Sequence, residues 1–330
     1  MRAVLQVLLP VVGLGLAVSH AGAQTGAHIG VQAWPTKPVR AVVPFAAGST
    51  TDIVPRAVFE QLSGQLGQAI VVENRGGDGG TIGAALVAKA DPDGYMMLVN
   101  SSAHAISPSL YPQLSYHPAR DFAAVASLGM SPNVLVVAPA RGWKTAGDLV
   151  AAAKAKPGAL NFSSVGVGSA THMSAERFRL SAGIDAVHVP FKGGAEAMTE
   201  VIAGRVDFFF GPVGLVLPHV QAGQLVALAV NGPSRSGALP EIATTRQAGF
   251  ADSEYPIWFG IFVPVKTPRE IVGALHRETV KSLQSPKIRE KLATLGVDPM
   301  AMTPEDFDTL VEKEVAINAA LVQATGIKPQ

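Results

Sequence analysis

Two stretches of the chain combine features that bind anions without a cationic side chain. Phe45-Ala46-Ala47-Gly48-Ser49-Thr50-Thr51 and Ser163-Ser164-Val165-Gly166-Val167-Gly168-Ser169-Ala170-Thr171 contain no charged residue and consist mostly of Gly, Ala, Ser and Thr. Small residues leave the backbone N–H groups open to approach. Each stretch leaves an apolar, strand-like run and enters a helical pattern. The first turn of a helix carries N–H groups with no partner and a positive partial charge. Such ends hold carboxylates and phosphates through the backbone. One loop of this kind alone reads slightly better as an ordinary strand-to-helix connection with capping hydroxyls. Two in one chain favour a carboxylate held between facing helix ends.

Other candidate groups reduce to bland readings. Gly166-Val167-Gly168-Ser169 is a weak nucleotide signal, since no Gly-Lys-Ser or Gly-Lys-Thr follows it. The glycines of Gly76-Gly77-Asp78-Gly79-Gly80 lack dinucleotide-binding spacing and read as a tight turn. His172 and Glu176 share a helix face, but no third ligand stands at metal spacing, so they read as a local contact. Asp91-Pro92-Asp93-Gly94 begins like a calcium loop and lacks the later ligands. No metalloprotease or serine-hydrolase signature occurs. Trp258 fits a cleft wall and a core aromatic equally well. Lys192 reads more readily as a solvated lysine than as a cleft cation.

Composition narrows the class further. The 330 residues are 48% hydrophobic and 15% charged, enough apolar material for about two domains. Cysteine is absent, which excludes disulfides, thiolate metal sites, a cysteine nucleophile and a lipid-anchored cysteine. Arg2, the apolar run 4–18 and the small residues Ala21-Gly22-Ala23 read as a cleaved export signal over 1–23. Without Arg2 the chain carries 25 basic against 25 acidic residues, so no basic footprint for nucleic acid exists. No metal or other cofactor is expected.

The elements that must position the loops follow a βα rhythm. Strands are expected at 39–43, 69–73 and 95–99, with helices over 52–66 and 81–90 between them. The rhythm resumes with strands at 133–137, 161–163, 186–189, 206–210 and 225–230, and helices at 148–155, 172–182 and 195–203. Two helices, near 268–283 and 304–324, close the chain. Alternation of this kind implies parallel sheets with right-handed crossovers. No flexible linker divides the chain, so two interwoven lobes are expected, 36–127 plus 253–330 and 128–252.

Several stretches in order carry a family resemblance. They are Trp34-Pro35-Thr36-Lys37-Pro38-Val39-Arg40; Val43-Pro44-Phe45-Ala46-Ala47-Gly48 with Thr51-Asp52 and Arg56; Leu66-Gly67-Gln68; Val72-Glu73-Asn74-Arg75 with Gly79-Gly80 and Gly83; Ala88-Lys89-Ala90; and Pro92-Asp93-Gly94-Tyr95. Ser164 to Ser169 with His172, His188-Val189-Pro190-Phe191-Lys192-Gly193, Gly204-Arg205-Val206-Asp207, and Trp258-Phe259-Gly260 with Pro264 complete the set. Together they resemble the Bug-type solute-binding receptors of the tripartite tricarboxylate transporter family. That resemblance implies an α/β, two-lobed periplasmic binding fold of the Venus-flytrap, type II-like kind, each lobe a mostly parallel sheet flanked by helices. It implies a monomeric, non-enzymatic protein that takes a small organic acid (a dicarboxylate, tricarboxylate, acidic amino acid or aromatic acid) to inner-membrane permease subunits.

The ligand-binding residues expected from the loops and the resemblance are Phe45, Ala47, Gly48, Ser49, Thr50, Thr51, Asp52, Ser102, Ser164, Gly166, Gly168, Ser169, Thr171, His172, Gly211 and Trp258. Three positions depart from the family pattern. Ser49 stands for a Gly, Pro55 for an Ala, and Gly211 for an Asp or Asn. Pro55 requires Asp52 to cap its helix, and Gly211 leaves the distal end of a ligand unread. A sensory receptor, or an enzyme acting on a carboxylate, are the rival functions.

Overall fold

The structure is a computed structural model and describes residues 34–329. The expected export signal lies outside the described residues. The first half of the fold is built by β1 (Val39–Val43), α1 (Thr50–Leu66), β2 (Ile70–Asn74), α2 (Thr81–Ala88), β3 (Met96–Ser101), α3 (Ala103–Leu110) and β4 (Phe122–Ser131). The chain then makes a second sheet from β5 (Asn133–Val137), α4 (Ala146–Ala155), β6 (Leu160–Ser164), α5 (Ala170–Ala182), β7 (Ala186–Pro190), α6 (Gly194–Ile202), β8 (Phe208–Pro212), α7 (Val213–Gln221) and β9 (Val226–Asn231). It returns to the first through β10 (Ile257–Pro264), α8 (Arg269–Gln284), α9 (Pro286–Thr294) and α10 (Pro304–Thr325).

Both sheets have five strands, in the orders β2-β1-β3-β10-β4 and β7-β6-β8-β5-β9. In the first, β1, β2 and β3 are parallel, and β10 runs antiparallel between β3 and β4. In the second, β6, β7 and β8 are parallel, and β5 runs antiparallel between β8 and β9. Each sheet thus carries one reversed strand, the one that enters from the other lobe. This is the mixed form of the mostly parallel sheet the βα rhythm implies.

The reversed strands explain themselves by composition. β5 (NVLVV) and β10 (IWFGIFVP) are buried at every position, as central strands covered on both faces must be. Burying one large aliphatic or aromatic side chain there contributes about 1.5–3 kcal/mol. The second-lobe core packs Phe162, Phe178, Phe208 and Phe210 beneath α4 and α5. The first-lobe core gathers Trp258, Phe262, Phe122 and Phe307 under α10.

The passage between lobes falls at Pro132, beyond the expected 127, because β4 continues to Ser131. The second passage, 232–256, is fastened at Tyr255. Its N–H donates to Asn231 Oδ1 at 2.5 Å, and its carbonyl accepts from Ser174 Oγ at 3.1 Å. Its phenol donates to Asn318 Oδ1 on α10 at 2.9 Å. Backbone held by one lobe and side chain by the other make Tyr255 a pin between them. Among the described residues no helix is long and apolar enough to cross a membrane.

Candidate functional site

In α/β sheets ligands settle outside the carboxyl ends of the parallel strands. Here those ends face one another across the two passages. On the first lobe they are Val43, Asn74, Ser101 and Ser131, with the start of β10 at Ile257 beside Ser131. On the second they are Ser164, Pro190, Pro212 and Asn231, with the start of β5 at Asn133 beside Asn231. The two uncharged loops leave β1 and β6, so each sheet carries one of them at its carboxyl edge.

The first loop is held from below by Asp52. Gly48 N–H donates to Asp52 Oδ2 at 2.9 Å, and Arg56 Nε and Asn74 Nδ2 each donate to Oδ1 at 2.9 Å. Asn74 Nδ2 also donates to Phe45 O at 3.0 Å. Burial works to raise the Asp52 carboxyl, but the Gly48 amide, Asn74 and Arg56 together hold it below its ordinary value. Asp52 is therefore a scaffold for the loop, with both oxygens engaged. Ala46, Ala47 and Gly48 are exposed above it. Thr50 and Thr51 begin α1, so their N–H groups have no intrahelical partner.

The helix start corrects one expectation. Ser49, not Asp52, is the N-cap of α1, and its hydroxyl makes no capping bond. Pro55 therefore lies in the second turn and leaves the Thr51 carbonyl without its usual N–H donor.

The second loop is held by its own hydroxyls. Ser169 Oγ donates to Gly166 O at 2.7 Å and accepts the His172 N–H at 3.3 Å, capping α5. Thr171 Oγ1 accepts from Val165 N–H at 3.1 Å. Ser164 Oγ accepts from Gly166 N–H at 3.1 Å. The N–H groups of Ala170 and Thr171 open α5 without intrahelical partners. Gly168 is buried with φ of 74°, and a Cβ there would lie 2.0 Å from Leu110 Cδ1 on α3. The loop therefore touches the opposite lobe at the end of α3. A second crossing contact joins α7 to the turn after α9, where a Cβ on Gly214 would meet Leu295 O at 2.4 Å.

Ser102 precedes α3 at the end of β3. Its N–H donates to Trp258 O at 3.1 Å. The hydroxyls of Ser49, Ser102 and Ser131 and Asn133 Oδ1 are buried with no partner among the described residues. Ser102, Ser131 and Asn133 stand at or next to the strand ends named above, and Ser49 stands in the loop that leaves β1. Sequence reasoning missed Ser131 and Asn133. The signal was present as polar residues flanking Pro132 between two apolar strands.

Two expected site residues sit elsewhere. Trp258 is 1% exposed and packs edge-on against Phe307 at 5.1 Å, with its indole N–H donating to Glu314 Oε2 at 2.7 Å. It is a core aromatic, one of the two readings its sequence context allowed. Gly211 opens no room for a ligand, because Val216 and Phe209 fill the space a Cβ would take, at 2.5 and 2.6 Å. His172 is 2% exposed and reaches the loop from beneath. Lys192 is exposed.

Ser164 Oγ lies 2.6 Å from His188 Nε2, and no carboxylate forms an ion pair with His188 among the described residues. Burial lowers His188 to about 4. No cluster of three metal-ligating side chains occurs among the described residues. A cavity of about 570 Å3 lies between α3 and α10 and one of about 520 Å3 between α2 and residues 111–115, and neither is lined by a residue of either loop. What the geometry offers is hydroxyls and free helix-end amides of both lobes, suited to an anion.

The pattern of the tripartite tricarboxylate transporter family receptor matches residues 54–327. Protein BugT of Bordetella pertussis is 32% identical over 97% of this chain and 98% of its own length. A structure from R. palustris with adipate is 33% identical, covers 90% of this chain and all of its own, and superposes with a TM-score of 0.82. MatC from Rhodopseudomonas palustris with bound malate is 30% identical over 87% of this chain and 99% of its own, with a TM-score of 0.78.

Proposed function

Because the chain belongs to the tripartite tricarboxylate transporter receptor family, we propose that it is exported by its first 23 residues, captures a small organic carboxylate in the periplasm, and delivers it to the membrane permease. One observation carries the binding half of this reading. Helix-end amides at Thr50 and Thr51 on one lobe, and Ala170 and Thr171 on the other, open toward the carboxyl edges of the two sheets. A carboxylate met by both sets draws the lobes together, since each set satisfies only part of its lone pairs. Neutral donors suit this task. They stabilise the charge without a counter-ion whose own desolvation must be offset.

Relatives with adipate and malate make linear dicarboxylates the first ligands to test. A thermal-shift screen decides. Carboxylates at one hundred times their dissociation constant should add about 2.7 kcal/mol of stability. Sugars and amines should add nothing. Stabilisation by those alone contradicts the reading. Return of the bound acid chemically unchanged is the second expected result, and its turnover would require an enzyme instead.

A further inference from the structure

Two imidazoles lie beneath the second cleft loop. His172 on α5 and His188 on β7 stack with ring centroids 3.8 Å apart and planes 13° from parallel. Phe162 extends the stack, 5.0 Å from His188. Gly168 N–H donates to His172 Nδ1 at 3.1 Å. A backbone amide only donates, so Nδ1 is unprotonated and the ring's proton is on Nε2. That nitrogen faces Glu176 Oε1 at 3.8 Å, and Glu176 Oε2 takes Arg179 at 2.8 Å. His188 Nε2 pairs with Ser164 Oγ, which in turn accepts from Gly166 N–H. One ring therefore grips the loop at its start and the other near its end.

We infer that the stacked His172–His188 pair positions the second cleft loop, each neutral ring fixing one end of 164–168 so that the first-turn amides of α5 are presented to the ligand. The inference rests on the cleft being the binding site. Neither ring needs to touch the ligand. A charged ring would undo the arrangement. Protonated Nδ1 of His172 would set a donor against the Gly168 donor, beside a second imidazole. Burial, then His188, then Arg179 hold His172 down to about 3, so the acceptor form persists. Among the described residues, the ion pairs that reach the pair are those of Glu176 and Arg179, both on α5.

Four single variants of the full chain test this. His172→Phe and His188→Phe keep a stacking ring and remove its nitrogens. His172→Asn places an amide oxygen near the Nδ1 position, and His188→Gln places amide nitrogen or oxygen near Nε2. Affinity for adipate and for malate is measured by calorimetry. Each Phe variant should bind about tenfold more weakly, and each amide variant within about threefold of the parent. Imidazole and amide 15N spectra of ligand-free protein supply a readout independent of any ligand. His172 Nδ1 should appear unprotonated, and the Gly168 amide should move in His172→Phe and be restored in His172→Asn. Parental affinity in both Phe variants, or a proton on Nδ1, overturns the inference. If the parent binds neither acid, the dicarboxylate reading of the cleft fails, while the nitrogen spectra still decide whether the rings hold the loop. The spectra of the parent also decide if a Phe variant does not fold.

Discussion

Asp52 was expected among the ligand-binding residues and as the cap of its helix. Its two oxygens instead hold Gly48, Asn74 and Arg56. Asp52→Ala removes these bonds to an ionised carboxylate, so ligand-free stability should fall by about 1–3 kcal/mol and affinity should fall with it. Denaturant unfolding and calorimetry on the same variant check both. The carboxyl is held below its ordinary value, so the stability it supplies is present above its unfolded value, 3.8, and disappears as pH drops through the lower folded one. The histidine pair acts in a higher window. His172 and His188 stay neutral in the fold down to about 3 and about 4, whereas unfolded histidine takes a proton near 6.5. The unfolded chain therefore gains protons first, and stability should decline as pH falls from 6.5 toward 4. Urea midpoints across that range should fall more steeply in the parent than in a His172→Phe, His188→Phe double variant. Equal slopes would mean the rings do not stay neutral in the fold.

At the scale of elements, the two loops are built differently although their sequences look alike. Ser169 caps α5, whereas Ser49 precedes α1 without a capping bond. Ser169→Ala should thus lower the stability of ligand-free protein by about 1 kcal/mol. Ser49→Ala should leave it nearly unchanged and act on ligand affinity, and unfolding curves for the two variants should separate these roles. Gly168→Ala tests the contact between lobes, at a position whose φ of 74° also strains the loop. The new Cβ meets Leu110, so the lobes should stand further apart, seen as a larger radius of gyration in X-ray scattering. Adding Leu110→Ala should reverse part of it. These differences were not legible in sequence, because capping and cross-lobe packing depend on how side chains turn after folding. The βα rhythm was legible, and all fifteen of the strands and helices it predicts fall within a few residues of their expected places. What it missed has physical causes. α3 and α7 are short and carry internal prolines, Pro108 and Pro218, which argue against helix in a bare sequence. β10 is an unbroken apolar run without alternation, a pattern that periodicity alone does not assign.

Across the whole molecule, two passages and one aromatic pin connect the lobes. Tyr255→Phe removes the hydroxyl that reaches Asn318 and leaves that buried amide with a missing donor. Thermal unfolding should show a loss of about 1–3 kcal/mol, and scattering should show a changed separation of the lobes in ligand-free protein. The central claim is that one carboxylate is met by backbone amides of both lobes at once. Titrating 15N-labelled protein with the acid that gives the strongest thermal shift tests it most directly. The amide signals of Thr50, Thr51, Ala170 and Thr171 should move together, with a single dissociation constant. Movement confined to one loop, or shifts clustered around the two cavities away from the loops while both loops stay still, would contradict it.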